Sequence, residues 1–326
     1  MVRKLPLLLA AALVAFGQDA MPRAFLERPA IREGRYALWH DPGDVPNLDL
    51  RYGIGGAELA PKPPFTFRDE DMSGSTPKVK VKDANGRDWV VKFGPEAYSD
   101  TFGTRLAWAM GYYVEPSYLV ADGVIEGARN LQRAGKEIDR DGHFQGGRFQ
   151  LRSAQPKYLK TVTWSWDDNP FTGTPELNGL KILMMLVSNW DNKDARDAES
   201  RGTNTAIYQN GDLLYYFVDD WGGAMGRWGK YFTRSKWNAA SFARQSDDFV
   251  SFKNGELHWG YVGQHSDLLT KGVQPGDIRW LLQYLGRLSD GQLRAALDAS
   301  GASAEEAELY VKGLRMRVDA LKRVVE

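Results

Sequence analysis

Two apolar runs flank Asn210-Gly211, TAIYQ before it and LLYYFV after it. Asparagine and glycine tolerate the left-handed backbone of a tight turn, so this pattern predicts a β-hairpin. The same signal recurs at Asn85-Gly86, where VKVK and WVVKF predict a second hairpin. Other stretches repeat their apolar residues at helical spacing. In residues 95–110, Phe102, Leu106 and Met110 mark one face, Pro95 suits the first turn and Gly111 the exit. Residues 176–190, ELNGLKILMMLVSNW, are apolar almost all round and predict a buried helix capped by Thr174 and opened by Pro175. After Gly276 the pattern predicts an amphipathic helix over 277–288 and a second after Ser289-Asp290. A last one runs from the Ser303-x-x-Glu306 capping box to Val325.

The remaining segments are less periodic. Residues 22–68 are rich in proline and glycine; Gly53-Ile54-Gly55-Gly56 reads as a turn, PKPPF as a stiff connector, and neither suggests chemistry. Residues 120–160 predict a strand, a short helix near 128–134, a turn at Asp139-Arg140-Asp141-Gly142, and the strands RFQLR and YLKTVTW. WSWDDNPF then interrupts the pattern as a linker would.

Composition narrows the classes. At 326 residues the chain can bury a full core or two lobes, and 43% apolar and 26% charged residues are ordinary for a globular protein. Lysine plus arginine equal aspartate plus glutamate at 42 each, so no global field favours an acidic membrane, and no nucleic-acid partner is predicted. The absence of cysteine excludes disulfides, thiolate metal sites and a lipoprotein anchor, and the four histidines show no metal-ligand spacing. Arg3 and Lys4 precede LPLLLAAALVAF, a run too short to span a bilayer, and Ala15 and Gly17 supply small residues for cleavage. Residues 1–17 therefore read as a signal peptide, and the mature chain as exported without a transmembrane anchor.

Candidate chemistry lies in two regions. The loop SGSTPK presents Gly74, Ser75, Thr76 and Lys78, whose backbone N–H groups and side chains can hold phosphate oxygens. Lys92 closes an otherwise apolar strand, so it either snorkels to an edge, which the strand alone favours, or meets a buried anion. Glu96 and Asp100, one turn apart on the following helix, can each supply that anion. In the second region a polar loop holds Asp191, Lys193, Asp194 and Asp197, and the hairpin beyond Asn204 delivers Asp219-Asp220 into Trp221-Gly222-Gly223. Clustered carboxylates with a carboxamide suit a hard divalent cation such as Mg²⁺, as in a phosphoryl-transfer site. The basic, aromatic stretch RWGKYFTRSKW after Gly226 reads either as an activation-like or substrate-facing segment for an anionic or sugar ligand, or as a solvated loop over the core.

The order of small-residue loop, hairpin, strand lysine, acidic helix, polar loop, hairpin and Asp-x-Gly resembles the protein-kinase-like superfamily. Within it, the chain is similar to the atypical branch of HipA-like and phosphoinositide lipid kinases. SGSTPK is similar to the Ser-Gly-x-x-Pro-Lys loop of HipA-like proteins, NWDNKD resembles a catalytic loop, and Asp220-Trp221-Gly222 resembles Asp-Phe-Gly. The resemblance implies an α+β, two-lobed kinase-like fold, with a small antiparallel sheet lobe plus one helix over 73–170. A larger, mainly helical lobe carrying the catalytic-loop hairpin follows over 171–326, and residues 18–72 form an extension packed on the small lobe. It implies ATP and Mg²⁺ as cofactors and a hydroxyl on a protein, glycan or lipid as acceptor. Asp191 is then the proton acceptor with Lys193 beside it; Gly74, Ser75, Thr76, Lys78, Lys92, Glu96 and Asp100 serve the nucleotide. Asn204 and Asp220 serve the metal. Arg196 stands where the family has its metal-binding asparagine, so Asp194 and Asp197 are alternatives to Asn204, and Asp219 to Asp220. A pseudokinase binding module and a metal-dependent phosphoesterase are the competing functions.

Overall fold

The structure, a computed structural model, describes residues 30–33, 35–152, 157–159, 162–199 and 202–326; the expected signal peptide lies outside them. Strands β1 (Ala30–Glu33) and β2 (Tyr36–His40) pair antiparallel in the segment where the sequence suggested a turn and a connector but no strand. Five further strands close a barrel: β3 (Phe65–Glu70), β4 (Lys78–Lys82), β5 (Asp88–Lys92), β6 (Ser117–Glu126) and β7 (His143–Leu151), in the order β3-β4-β5-β7-β6. The β4–β5 pair is the hairpin predicted at Asn85-Gly86. Val79 and Val81 alternate inward along β4 and meet Phe65, Trp89, Val91 and Phe149 in the barrel's own core.

Helix α1 (Pro95–Ala109) follows β5 directly. Its Phe102 and Leu106, with Met110 just beyond it, join the larger core of the helical body, not the barrel core. That body is centred on α2 (Pro175–Leu186), where the Thr174 hydroxyl accepts from Leu177 N at 3.3 Å and Pro175 occupies the first turn. Residues Ile182 to Leu186 are all fully buried, as a helix apolar on every face requires.

A second sheet runs β1-β2-β10-β9-β8, with β8 (Lys157–Tyr158), β9 (Thr205–Asn210) and β10 (Leu213–Val218). The β9–β10 hairpin closes through Gly211-Asp212, with Gly211 at φ 60°, a glycine-first turn that matches the twist of its strands. β2 lies parallel to β10, so the overlooked N-terminal strands brace the hairpin that carries the acidic doublet.

The helical body is completed by α3 (Ala239–Arg244), α4 (Ser266–Thr270), α5 (Pro275–Leu285), α6 (Asp290–Asp298) and α7 (Ala304–Arg323), the last two opened by capping boxes. An unpredicted hairpin, β11 (Val250–Lys253) and β12 (Glu256–Trp259), turns at Asn254-Gly255, where both residues have positive φ. Two expectations fail. Residues 128–134 form no helix: only a 3-10 turn, Ala134–Lys136, is present, because Glu70 captures the N–H groups of Gln132, Arg133 and Ala134 at 2.7 Å each. Of the predicted strand YLKTVTW only Tyr158 is in a strand; Lys160 and Thr161 lie outside the described residues.

Candidate active site

The end of α2 feeds straight into the polar loop. Ser188 turns the chain with φ 59°, an unusual conformation for serine, and its Oγ accepts from Arg317 Nη1 at 2.7 Å. Asn189, fully buried, then joins the two acidic segments. Its Oδ1 accepts from Asp191 N at 3.3 Å, and its Nδ2 donates to the Asp220 carbonyl at 3.3 Å. Trp190 N donates to Gly223 O at 3.3 Å. A Cβ on Gly223 would stand 2.8 Å from Asp191 Cβ and 3.0 Å from Asp191 N, so only glycine permits this approach. Sequence reading missed Asn189; an asparagine just past the apolar run ILMMLV was the available signal.

Lys92 comes from the barrel and meets this assembly. Its Nζ lies 2.9 Å from Asp100 Oδ2, 3.0 Å from Glu96 Oε2 and 3.1 Å from Asp220 Oδ2. The snorkelling expectation is therefore overturned: the side chain is buried because three carboxylates compensate its charge. Both helix acids take part. Burial would push Lys92 down, yet Asp100, Asp220 and Glu96 outweigh it and hold the ammonium well above its ordinary value. Asp220 is held well below the usual carboxylate range: Lys92 and the Gly222 N–H overcome its burial. Asp100 is pushed up to about 6, chiefly by burial, despite Arg148 and Lys92. It has no solvent exposure, and its Oδ1 accepts from Trp221 N at 2.6 Å. One carboxylate thus fixes both the strand lysine and the Asp-Trp-Gly turn, with Arg148 Nη1 at 3.4 Å behind it.

Glu96 reaches in two further directions, accepting from the Thr76 hydroxyl at 2.6 Å and pairing with Lys236. The 73–78 loop is also pinned by Asp71, which accepts from Ser73 N at 2.9 Å, and by Arg133, which donates to the Met72 and Gly74 carbonyls. Burial lowers Lys78. Arg133 carried no sequence signal, since it acts across a long stretch of chain, whereas Lys236 belongs to the RWGKYFTRSKW stretch already singled out in the sequence.

Ten of the singled-out residues line one cavity of about 1240 Å³: Gly74, Ser75, Thr76, Lys78, Lys92, Glu96, Asp191, Lys193, Asn204 and Asp220. Asp100 sits behind its wall. Lys193 Nζ lies 3.3 Å from Asp191 Oδ2. Asn204 Nδ2 donates to the Asp191 carbonyl at 2.5 Å, and no protein donor reaches its Oδ1 among the described residues. Asp194 and Asp197, the alternative metal ligands, do not line the cavity. Asp194 accepts from Trp166 N at 3.2 Å and from the Arg196 guanidinium, while Asp197 meets His265 Nε2 at 2.8 Å. Their carboxylates cap the 3-10 turn Ala195–Asp197. The cavity's hard oxygens, Asp220 carboxylate and Asn204 amide, fit a divalent cation of the Mg²⁺ type.

Asp219 also borders the cavity but faces a different partner. Its Oδ2 accepts from the Tyr158 hydroxyl at 3.3 Å. Its Oδ1 and the Oε2 of Glu115 are both buried with no hydrogen-bond partner among the described residues, and the Asp219 carboxylate adds to the burial that raises Glu115. Burial pushes Glu115 up to about 8, against Arg152, whose Nη1 lies 2.8 Å away. The folded-state value exceeds the unfolded one, so the stabilisation is complete below about pH 4.5 and is lost as pH rises through about 8. Glu115→Gln, which keeps the neutral form, is expected to flatten the decline in melting temperature between about pH 5 and about pH 9. A slope equal to that of the unaltered protein would remove Glu115 from this account.

The solved structures that the chain resembles include kinases. No family model matches it, and no curated protein does. A proinflammatory kinase of Helicobacter pylori, CtkA, aligns at 13% identity and TM-score 0.49, covering 81% of this chain and 99% of that one. The Golgi casein kinase with Mn and ADP bound aligns at 11% identity and TM-score 0.43, covering 86% of this chain and 75% of that one.

Proposed function

We propose that the protein is a kinase-like phosphotransferase that moves a phosphoryl group from ATP to an acceptor hydroxyl on a protein, glycan or lipid. The observation that carries the reading is the meeting of Lys92 and Asp220, 128 residues apart in sequence and 3.1 Å apart in space, in a cavity that Asp191 also lines. The barrel and the helical body are read as the two lobes. The finer likeness to HipA-like and phosphoinositide kinases rests on SGSTPK and Asp-Trp-Gly, and export rests on residues 1–17.

In this reading Lys92, oriented by Glu96 and Asp100, binds nucleotide phosphates beneath the loop holding Gly74, Ser75, Thr76 and Lys78. Asp220 and Asn204 would hold Mg²⁺, which when bound neutralises charge on the phosphoryl oxygens. Asp191 accepts the proton of the attacking hydroxyl, and Lys193 steadies the phosphoryl oxygens.

The direct test is a thermal melt with and without Mg-ATP, followed by transfer of labelled phosphate. Saturating Mg-ATP at about a hundred times its Kd is expected to stabilise the fold by about 2.7 kcal/mol. Stabilisation without transfer to any hydroxyl acceptor would mark a pseudokinase. No stabilisation and no transfer would exclude the reading.

A further inference from the structure

From Trp221 to Ser246 the chain carries five lysines and arginines and no aspartate or glutamate, although the whole protein is neutral. The middle of this stretch forms a projecting loop whose base is fixed to the candidate site. The Trp190 indole N–H donates to Ser235 O at 2.8 Å, the Arg234 guanidinium lies 3.9 Å from the Trp190 ring centre, and Lys236 pairs with Glu96. Since Trp190 immediately precedes Asp191, the loop is held in register with the proposed proton acceptor.

Its tip is turned outward. Phe232 is 95% exposed and Tyr231 72%, their rings edge-to-face at 5.1 Å. Val262, 44% exposed, adjoins them through the bond from Gly229 N to its carbonyl at 2.9 Å. Along the same loop Arg227, Lys230 and Arg234 have no carboxylate within ion-pair distance among the described residues, and the Arg234 guanidinium lies 4.9 Å from the Tyr231 ring centre. A phenylalanine left almost wholly in water lacks the burial that apolar surface favours. Aromatic rings on a loop with cations that lack carboxylate partners are the composition of a segment that enters the interface of an anionic membrane, where rings sit among headgroups and cations meet phosphates. An acidic polypeptide would satisfy the cations but leave Phe232 unexplained.

We propose that the Arg227-to-Lys236 loop docks on an anionic phospholipid bilayer. Its consequence, that the acceptor hydroxyl is one presented at the bilayer surface beside Asp191, rests on the phosphotransferase reading; the docking itself does not.

The test is co-sedimentation of the full-length protein, without nucleotide, with phosphatidylcholine vesicles with and without phosphatidylserine. Binding is expected only with phosphatidylserine and is expected to weaken as salt rises. Phe232→Ser should weaken it about tenfold and Lys230→Glu at least about fivefold, the latter from one lost cation at the surface. Both positions are exposed, so each variant should melt like the unaltered protein. Absence of binding to phosphatidylserine vesicles, or equal binding by Phe232→Ser, overturns the proposal. So does pelleting without vesicles, which would mean a second copy covers the tip. Polyglutamate binding equally to the unaltered protein and to Phe232→Ser would assign the surface to an acidic polypeptide and overturn it too. Vesicle binding without an Mg-ATP shift would remove the phosphotransferase reading alone; the shift without vesicle binding would remove the docking alone.

Discussion

Asp220→Ala is expected to abolish stabilisation by Mg-ATP and to lower phosphoryl transfer by at least about a thousandfold. The Asp220 carboxylate is anionic at any working pH because Lys92 and the Gly222 N–H hold its proton affinity down against burial. It is also the carboxylate that lines the cavity with Asn204 and contacts the strand lysine directly. The substitution should leave the fold in place, since Asp100 and Glu96 still compensate Lys92. A companion, Asp191→Asn, separates metal binding from proton transfer. It should keep the Mg-ATP shift and lose transfer to a similar degree, because the amide cannot take the hydroxyl proton. Retained Mg-dependent stabilisation and turnover in Asp220→Ala would overturn the site as drawn.

Arg317→Met should destabilise the protein by about 3 kcal/mol, the cost of removing a buried charged hydrogen-bonding group from its partners. At about 2.1 cal/mol/K of unfolding entropy per residue, this corresponds to a fall of roughly 5 °C in Tm. Arg317 is fully buried, and among the described residues it has no carboxylate partner. Its guanidinium donates instead to Leu186 O at 2.6 Å, Ser188 Oγ at 2.7 Å, Ser246 Oγ at 3.0 Å and Phe242 O at 3.1 Å, and lies 3.7 Å from the Phe242 ring centre. Methionine fills the volume and relieves the buried charge, but it leaves the last carbonyl of α2 without this donor. Because Ser188 holds its left-handed backbone against that guanidinium, the variant should also lose transfer activity below its melting temperature. Thermal melts and initial rates measure the two effects separately. An unchanged Tm would show that relief of the buried charge cancels the lost bonds.

Local chemistry made part of this legible in the sequence. The hairpins at Asn85-Gly86 and Asn210-Gly211, the Thr174 cap and the Ser303 capping box are each fixed by neighbouring residues, and each is found, the second hairpin turning one residue later at Gly211-Asp212. What could not be read depends on partners distant in sequence. Lys92 on its strand looked like an edge lysine, because two of its three carboxylates lie on a helix and the third is 128 residues away. The helix-free stretch at 128–134 shows the same effect, with Glu70 drawing three of its backbone donors out of helical geometry. β1 and β2 were hidden by their proline- and glycine-rich surroundings, and β2 takes its place by pairing with β10. In the candidate site, charged side chains announced themselves, whereas Asn189 did not: its work is to accept and donate between main chains.

Helix α1 shares its apolar core with the helical body, while the lysine it grips is rooted in the barrel. Swinging the barrel away as a rigid shell would pull an ammonium out of a cage of three anions into space where nothing replaces them. The easier entrance for a polyphosphate is therefore the lip formed by Thr76 and its neighbours. There the hydroxyl-to-Glu96 contact and the Asp71 and Arg133 bonds to the loop have to let go, and the arriving anion itself offers the lip new acceptors. If the protein is the phosphotransferase proposed above, nucleotide exchange should accordingly follow the motion of a few loop residues, with the two bodies keeping their relative pose throughout.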